Sequence, residues 1–503
     1  MWFLTCRSVA SAVQLQRTFG TSSFPRSQSL KQILASRDVN KGVEIKGWVK
    51  ALRRHKDVVF MDLSDGTVSS HIQVVIPTSC LRPQLAYGAA VQVVGSLMAS
   101  SHKGQEFEIH AENITVLGPC DVQGYPFRAR KTYAPEYVRS HLHFRPRLTT
   151  EAAMLRLRSA ALMALHSAFQ AQGFFHVHTP ILTSNDCEGG GDVFSVKIPS
   201  FCGAVCMKSI AHVFLQVQSV KQQVEESETC KDSEEQFFRR PVFLTVSAQL
   251  HLEAVAMSLS KVYTVNPTFR AENCNTRRHV CEFCMVEAEE AFVTTLDTLL
   301  QRTEDTMKAV FTSLVSSSQQ DIAAVLKNSP AGHFESVQAA LDEPFARMTY
   351  SECINALQCA KDGIKSIEWG EDLGAQHEEY LVKHCAGGRP LFVTHFPSAL
   401  KPFYMKHTAD DTGTVEGFDL LAPIGGELCG GSLREDDATV LAERMQALGM
   451  AEAFSWYLDL RKYGSAPHGG FGLGFDRMLQ YFFGIKNIRD VVTFPRWSKH
   501  CSM

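Results

Sequence analysis

Two segments that lie far apart in the chain combine residue types that bind phosphate groups. Residues 469–478 read Gly-Gly-Phe-Gly-Leu-Gly-Phe-Asp-Arg-Met, which predicts a glycine-rich strand that runs into a helix with Arg477 at its start. Glycines let a backbone approach a ligand closely, and the N-terminus of a helix favours anions. Upstream, an apolar strand pattern ends in Arg270-Ala-Glu272. This segment supplies a guanidinium for a phosphate or carboxylate and an acceptor for an amino group.

In this order the two segments resemble motifs 2 and 3 of the class II aminoacyl-tRNA synthetases, at about 261–290 and 468–484. Motif 2 would be two antiparallel strands, 261–272 and 279–288, joined by a polar loop, 273–278. A helical pattern that Thr149-Thr-Glu151 caps runs to about Gln172 and is followed by a strand and Thr179-Pro180, which resembles motif 1 at about 151–182. The resemblance covers nearly the whole chain from about residue 40. It implies an α+β fold with an antiparallel-sheet catalytic domain at 149–503, a helical insertion near 295–390, and a homodimer formed through motif 1.

The resemblance assigns ATP to motifs 2 and 3. Activation of an amino acid is an in-line attack of its carboxylate on the α-phosphate of ATP, so the enzyme must hold two anions together and stabilise charge on phosphorus. By resemblance, Arg270 bridges the carboxylate and the α-phosphate, and Glu272 accepts a hydrogen bond from the adenine amino group. Phe283 stacks on the adenine, and Arg477 holds the γ-phosphate and stacks over the adenine. Arg270 and Arg477 are therefore the expected catalytic residues.

Three further residues complete the expected ATP site. By resemblance, Arg278 and His279 reach the outer phosphates or the acceptor end of tRNA. Glu427 lies among glycines in the stretch Gly-Gly-Glu-Leu-Cys-Gly-Gly-Ser-Leu-Arg. Mg2+ prefers oxygen ligands together with ATP phosphates, so Glu427 is its natural ligand and the expected cofactors are ATP and Mg2+. Gly430 stands where related aspartyl enzymes carry a serine near the metal, so we expect an extra water in the magnesium shell.

The amino-acid substrate is indicated by one segment and one arginine. By resemblance, Arg434 grips the oxygen of the substrate side chain, which argues against lysine. Aspartyl enzymes carry a lysine in a Gln-x-Tyr-Lys-Gln segment, whereas this chain reads Gln249-Leu-His-Leu252-Glu. Arg434 as the single cation suits the neutral amide of asparagine. The carboxylate of aspartate would need a second cation, because a buried unpaired charge is costly. The segment resembles asparaginyl enzymes, which implies asparagine as substrate, with Glu188 on its α-amino group and Ser247 and Gln249 beside it.

The N-terminal part reads as a small barrel. From about residue 30 to 118, five short runs carry β-branched or aromatic residues at every second position, which predicts an OB-fold. Such barrels bind single-stranded nucleic acid by stacking bases on aromatic side chains. The barrel resembles the anticodon-binding domain of the aspartyl, asparaginyl and lysyl enzymes, which implies that Phe60 and Gln73 hold anticodon bases of a tRNA. Prolines and glycines at 119–148 predict a hinge.

The first residues have the composition of a targeting segment. Residues 1–37 contain five basic residues, many serines and threonines and no acidic residue. This composition predicts a mitochondrial transit peptide at 1–25 and a matrix protein, with a disordered tail as the alternative. The net charge of −3 indicates that any RNA contact comes from local basic faces. No run approaches the roughly 18 apolar residues that a membrane helix needs, so we expect no membrane contact.

One segment departs from the family pattern. Residues 201–235 form a longer crossing between motif 1 and Pro241 than the resemblance implies, either as a harmless surface loop or as an insertion that disturbs the substrate loop. We expect attachment of asparagine to mitochondrial tRNA through an asparaginyl-adenylate, with release of AMP and pyrophosphate. An aspartyl enzyme, an enzyme that makes asparagine from aspartate, ATP and ammonia, and a catalytically impaired RNA-binding paralogue remain as alternatives.

Overall fold

The computed structural model describes residues 27–101, 104–184, 193–197, 216–219, 237–360, 364–410 and 412–503. The chain divides between Thr132 and Tyr133 into two compact units, and this boundary lies inside the segment predicted as a hinge. The predicted transit peptide and Glu188 lie outside the described residues. Among the residues described, no helix combines the length and apolar character needed to cross a membrane.

The first unit is a closed five-stranded barrel in the order β1-β2-β3-β5-β4, which confirms the predicted OB-fold. Neighbouring strands are antiparallel except β3 and β5, which are parallel. Helix α1, Leu30–Ser36, precedes the barrel and is capped by the side chain of Ser29. The strands are β1 Gly42–Arg54, β2 Val58–Ser64, β3 Ile72–Pro77, β4 Ala90–Ala99 and β5 Phe107–Gly118.

Alternation along the strands creates the barrel core. In β4, the side chains of Val91, Val93 and Leu97 are buried while their neighbours are partly exposed. Successive side chains of a strand point to opposite faces, so this spacing fills one interior. The same cluster takes in Leu30 and Ile33 of α1, which places that helix against the barrel core.

The second unit contains the remaining helices and strands. Its helices are α2 Pro135–Arg139, α3 Thr149–Ala171, α4 Gln249–Leu259, α5 Leu296–Ser317, α6 Gln319–Val325, α7 His333–Asp342, α8 Tyr350–Gln358, α9 Ala375–Tyr380, α10 Ala438–Ala447, α11 Ser455–Lys462 and α12 Phe475–Phe483. Its strands are β6 Phe175–His176, β7 Leu182–Thr183, β8 Phe194–Lys197, β9 Gln216–Ser219, β10 Phe243–Leu244, β11 Lys261–Phe269, β12 Glu282–Ala291, β13 Ala346–Thr349, β14 Leu391–Thr394, β15 Gly417–Ala422, β16 Gly426–Leu433 and β17 His468–Gly474.

An eight-stranded sheet in the order β13-β14-β15-β16-β17-β12-β11-β6 forms the centre of this unit. Its strand pairs are antiparallel except the outermost pair at each edge, which agrees with the predicted α+β fold on an antiparallel sheet. A smaller sheet has the order β7-β10-β8-β9. Strand β9 belongs to the long segment 201–235, and the rest of that segment lies outside the described residues.

Two predicted boundaries differ from the structure. Helix α3 starts at Thr149 itself and has no side-chain cap, so Thr149 is its first residue and not its cap. Glu151 in its first turn instead accepts from Arg145. The first strand of motif 2 ends at Phe269, and the second begins at Glu282. The loop between them, 270–281, is therefore longer than the predicted loop, 273–278.

The segment predicted as a helical insertion contributes to the main core. Helix α5 buries Leu299, Met307 and Val310 in the same cluster as Leu157 of α3 and Phe471 of β17. Its apolar residues recur at helical spacing, so one face packs against both partners. The later part of the segment holds α6 to α9 and also strand β13 at the edge of the large sheet.

Candidate active site

The end of β11 brings Arg270 beside an aromatic ring. Register pairs Thr268 with Phe283, and the backbone nitrogen of Arg270 donates to Cys281 O at 3.1 Å, which closes the hairpin. The Arg270 Cζ atom lies 5.8 Å from the centre of the Phe283 ring, a cation–π distance. A guanidinium next to a flat ring suits a ligand with an anionic part and an aromatic part.

The loop after β11 gathers positive charge around one histidine. Glu272 Oε2 lies 3.4 Å from His279 Nε2. Burial lowers the pKa of His279, Glu272 opposes this effect, and the charges of Arg477, Arg278 and Arg270 lower the pKa further. Three arginines that act on one imidazole indicate a convergence of positive charge, which attracts an anionic ligand.

The start of α12 is anchored to two other elements. Asp476 Oδ2 accepts from the backbone nitrogen of Cys284 at 3.0 Å, and its Oδ1 atom accepts from Arg158 on α3. The next residue, Arg477, donates from Nη1 to the backbone oxygen of Glu427 at 2.6 Å. Asp476 therefore fixes the helix end that carries Arg477. Sequence reasoning did not single it out, although it lies within the quoted glycine-rich segment.

Arg278 is held by a carboxylate that the sequence analysis missed. Its Nη1 atom donates to Glu378 Oε2 at 2.8 Å. At Gly426, whose φ is +69°, an added Cβ would come within 2.6 Å of Arg278 Nη1 and 2.8 Å of Glu378 Oε2. The glycine is needed both for its left-handed backbone and for the space that this ion pair occupies.

Two carboxylates converge near Gly430. A Cβ at Gly430 would lie 3.3 Å from Asp419 Oδ1 and 3.4 Å from Glu427 Oε1. Burial raises the pKa of Asp419 to about 6; Lys401, whose Nζ lies 2.6 Å from Oδ2, opposes this effect, and Glu427 adds to it. Paired carboxylates with too little compensating charge favour a bound cation, so the oxygens fit Mg2+. Asp419 was not singled out from the sequence.

Arg434 lies in a buried ion pair. Its Nε and Nη2 atoms donate to the two oxygens of Glu289 at 3.1 and 2.9 Å, and Nη1 donates to Ser432 Oγ at 2.6 Å. A Cβ at Gly470 would collide with Glu289 Oε2, so a glycine of motif 3 makes room for this carboxylate. The Glu253 Oε1 atom lies 3.9 Å from Arg434 Nε. Each of these charged side chains is almost completely buried.

Glu253 is the centre of this cluster. Its Oε2 atom accepts from Arg461 Nη2 and Tyr457 Oη, both at 2.7 Å, and lies 3.1 Å from His468 Nε2. Burial raises the pKa of Glu253, but the charge of Arg461 and the contacts with His468 and Arg434 lower it below its ordinary value overall. The carboxylate therefore stays ionised inside the protein.

The neighbouring Glu289 is shifted in the opposite direction. Burial raises the pKa of Glu289, the charge of Arg434 opposes this effect, and the charge of Glu253 adds to it. The two buried carboxylates thus share the nearby arginines, and Glu253 is the more readily ionised of the two.

The segment that suggested asparagine contributes Glu253 rather than Leu252 to this cluster. Leu252 is buried with Ala248, Ala256 and Val262, in a separate apolar cluster. Glu253 is next to it in the quoted Gln-Leu-His-Leu-Glu pattern, and that pattern was the signal that could have identified it. Leu252 is therefore an apolar core residue, and the next residue, Glu253, is the one that reaches the Arg434 cluster.

Two of the predicted amino-acid ligands lie at the start of α4. The Gln249 Nε2 atom donates to Glu253 Oε1 at 3.1 Å, so Gln249 adjoins the Arg434 cluster. Ser247 donates from Oγ to Glu287, which also accepts from the backbone nitrogen of Ala248. Ser247 thus supports the helix start. Another predicted ligand, Glu188, lies outside the described residues.

The predicted anticodon residues lie together on the barrel. Arg53 places its Cζ atom 5.9 Å from the centre of the Phe60 ring and donates from Nη2 to Gln73 Oε1 at 2.9 Å. Gln73 also donates to Glu108 Oε2 at 3.2 Å. Trp48, on the neighbouring β1, is 45% exposed. An arginine, the half-buried Phe60 ring and the exposed Trp48 ring on one barrel suit stacking with bases.

Comparisons with known proteins agree with this architecture. The sequence model described as tRNA synthetases class II (D, K and N) matches residues 136–498, and the model of the OB-fold nucleic acid binding domain matches residues 43–117. The chain therefore belongs to the class II tRNA synthetases, as predicted.

Individual relatives are similar over most of their length. The asparaginyl-tRNA synthetase of Mus musculus is 41% identical over 461 residues, which is 91% of this chain and 91% of the relative. The asparagine–tRNA ligase of Thermosynechococcus vestitus is 39% identical and covers 93% of this chain and 98% of its own. A crystal structure of the Pyrococcus horikoshii asparaginyl-tRNA synthetase complexed with asparaginyl-adenylate is 28% identical, with a TM-score of 0.79, over 94% of this chain and 99% of that one.

Proposed function

We propose that this protein is an asparagine–tRNA ligase that forms an asparaginyl-adenylate from asparagine and ATP and transfers the asparaginyl group to tRNA. The observation that carries the proposal is the buried Arg434–Glu253 pair. The pair lies next to β16 and β17, the strands that also position the proposed ATP-site arginines. The asparaginyl relatives support this interpretation over the aspartyl, asparagine-forming and inactive alternatives.

The first step joins two anions. The asparagine carboxylate attacks the α-phosphorus of ATP, a carboxyl–phosphate bond forms, and the bond to pyrophosphate breaks. Arg270, at the strand end beside Phe283, would contact both anions, and Arg477 would approach from motif 3. The chain supplies orientation and positive charge, and no protein nucleophile is required. In the second step a tRNA hydroxyl attacks the carbonyl carbon and AMP leaves.

Asparagine would be recognised through both ends of its amide. The Arg434 guanidinium can donate to the amide oxygen, and the ionised Glu253 can accept from the amide nitrogen. Aspartate would place its negative charge beside Glu253 and has no N–H to donate to this carboxylate. Sites built to bond a specific polar group reject analogues that leave the group unpaired.

Mg2+ would be held by Asp419 and Glu427 together with ATP phosphates. Their oxygens converge near Gly430, and a glycine at that position leaves space for a water ligand. When bound, the ion neutralises phosphate charge during the displacement. The residues of the chain that prepare the site are Lys401, which orients Asp419, and Arg477, which fixes the Glu427 backbone.

The tRNA anticodon would bind the barrel at the surface of Phe60, Gln73 and Arg53. Phe60 offers a ring for stacking, and Arg53 offers a charge for the phosphate backbone. The match to the OB-fold nucleic acid binding model over residues 43–117 supports this role.

A homodimer through motif 1 is the proposed assembly. Met163 on α3 is 63% exposed and Phe175 on the edge strand β6 is 58% exposed, and Leu182 on β7 is also exposed. Exposed large apolar side chains beside an open sheet edge are typical of an interaction surface. A second copy would bury them by the same surface on both subunits.

The proposed compartment is the mitochondrial matrix, with residues 1–25 as the transit peptide. The support is the sequence composition described above, which is basic, rich in serine and threonine and free of acidic residues. Fusing residues 1–37 to a fluorescent protein tests this point: import into mitochondria is expected, and a diffuse signal would contradict it.

The overall proposal is tested by charging tRNA. Protein that lacks the first 25 residues would be incubated with ATP, Mg2+ and labelled asparagine, with transcripts that carry the asparagine or the aspartate anticodon. We expect label on the first transcript only. Equal labelling of both, or labelling with aspartate in place of asparagine, would contradict the proposed specificity.

A further inference from the structure

The loop 270–281 contains a cluster of metal-ligand side chains that the proposed reaction does not use as a metal site. Glu272, Cys274 and His279 each offer one ligand atom, and these atoms lie within 4.8 Å of one another. Among the residues that the structure describes, a second such group is Glu253, Glu289 and His468, but arginines are ion-paired with both of its carboxylates. The loop cluster is half-buried and includes Glu272, the proposed contact of the adenine.

The separations within the loop cluster are close to, and partly above, those of a tetrahedral zinc site. Zinc lies about 2.3 Å from sulfur and about 2.0–2.1 Å from nitrogen or oxygen, so two ligand atoms of a tetrahedron are about 3.3–3.6 Å apart. The Glu272 Oε2 atom lies 3.4 Å from His279 Nε2 and 3.8 Å from Cys274 Sγ. Only small rotations of these side chains are needed to close them around one ion.

The surroundings of His279 favour ligation through Nε2. Its Nδ1 atom is hydrogen-bonded to Thr276 Oγ1, which leaves Nε2 directed at Glu272. Metal-bound histidines commonly have such a partner on the second ring nitrogen, since it fixes the orientation of the ring. The half-buried position leaves the fourth ligand place to water.

We propose that Glu272, Cys274 and His279 bind a zinc ion that competes with the nucleotide. The Cys274 thiol loses its proton to the solvent and a zinc–sulfur bond forms. A thiolate and a carboxylate then balance both charges of the ion, so the bound cluster is neutral next to Arg270, Arg278 and Arg477. The competition rests on the proposed function, because a zinc-bound Glu272 can no longer accept from the adenine amino group.

The direct test is calorimetric titration of the metal-stripped full chain with zinc chloride. We expect one zinc per chain with release of about one proton, since a thiol must ionise to bind. Cys274→Ser should weaken binding on the order of 100-fold or more, and Cys359→Ser, which changes an exposed cysteine on another element, should leave it unchanged. Equal affinity of the Cys274→Ser variant would overturn the site.

Competition is tested with a nucleotide analogue that does not itself chelate zinc, an asparaginyl sulfamoyl-adenosine. Saturating analogue should abolish zinc binding, and undiminished zinc binding would overturn the competition. Pyrophosphate exchange in zinc-free buffer keeps this result separate from the proposed function. Cys274→Ser should retain that exchange, which also shows that the variant folds; zinc binding without any exchange would overturn the ligase proposal and leave the zinc site standing.

Discussion

Arg434 Nε and Glu253 Oε1 lie 3.9 Å apart inside the protein, and neither side chain is more than 2% exposed. Glu253 lies on α4 and Arg434 directly follows β16, and the Glu253 carboxylate also accepts from Arg461 of α11. The guanidinium and the ionised carboxylate together offer a donor and an acceptor, which complement a primary amide. In the proposed function, this pair is the reason for choosing asparagine over aspartate.

Glu253→Gln should weaken both specificity and stability. The variant removes the negative charge that repels aspartate, so aspartate-dependent pyrophosphate exchange should rise relative to asparagine. Arg461 and Arg434 lose a buried counter-charge, which should lower the free energy of unfolding by about 3 kcal/mol. Urea unfolding and exchange assays measure the two effects. Glu443→Gln, on the exposed side of α10, is the control, and equal behaviour of both variants would contradict the assignment.

Arg270→Ala should abolish adenylate formation while the protein stays folded. The side chain is at a strand end and its proposed role is to stabilise charge on the α-phosphate, so its loss should slow pyrophosphate exchange by about 10²–10³-fold or more. Arg347→Ala, at a surface pair with Asp297, is the matched control and should leave exchange unchanged. Retained exchange in Arg270→Ala with an unchanged thermal melting curve would show that motif 2 has been assigned wrongly.

The family and the fold could be predicted because their signals are local. The alternation in β4 and the glycine-rich run into α12 are visible in short windows, and the barrel and the antiparallel sheet confirm both. The loop of the motif 2 hairpin starts earlier than predicted. Its start is decided by the backbone hydrogen bond between Arg270 and Cys281 and not by residue type. Local pattern therefore predicts elements more accurately than their ends.

The partners of the charged side chains in the site could not be predicted from the spacing of residues in the sequence. The contacts Glu289–Arg434 and Arg278–Glu378 join positions that become neighbours only through the register of β12, β17 and β16 and the placement of α9. Gly470 is an example: the sequence suggested a close approach to a ligand, whereas the structure uses the space for the Glu289 carboxylate.

Phe60→Ala should weaken tRNA use without affecting amino-acid activation. Loss of one base–aromatic stack is worth about 1–3 kcal/mol, so the KM for tRNA should rise by about 5-fold or more. Pyrophosphate exchange needs no tRNA and should stay at the wild-type rate. A parallel loss of exchange would mean that the substitution unfolds the protein, and an unchanged KM would exclude Phe60 from the tRNA surface.

Phe175→Glu should convert the proposed dimer to a monomer. A charge on the edge strand β6 would have to be desolvated in the dimer, whereas the monomer leaves it in water. Light scattering after gel filtration at micromolar protein gives the mass directly. Phe292→Glu, at an exposed phenylalanine outside motif 1, should keep the wild-type mass. A monomeric wild-type protein would refute the proposed assembly outright.

The most direct test is ATP–pyrophosphate exchange with asparagine and aspartate in parallel, on protein without residues 1–25. The Arg434–Glu253 pair predicts exchange that depends on asparagine, with little or none for aspartate. Exchange of equal rate with aspartate, or no exchange with asparagine under conditions where the protein is folded, would contradict the account.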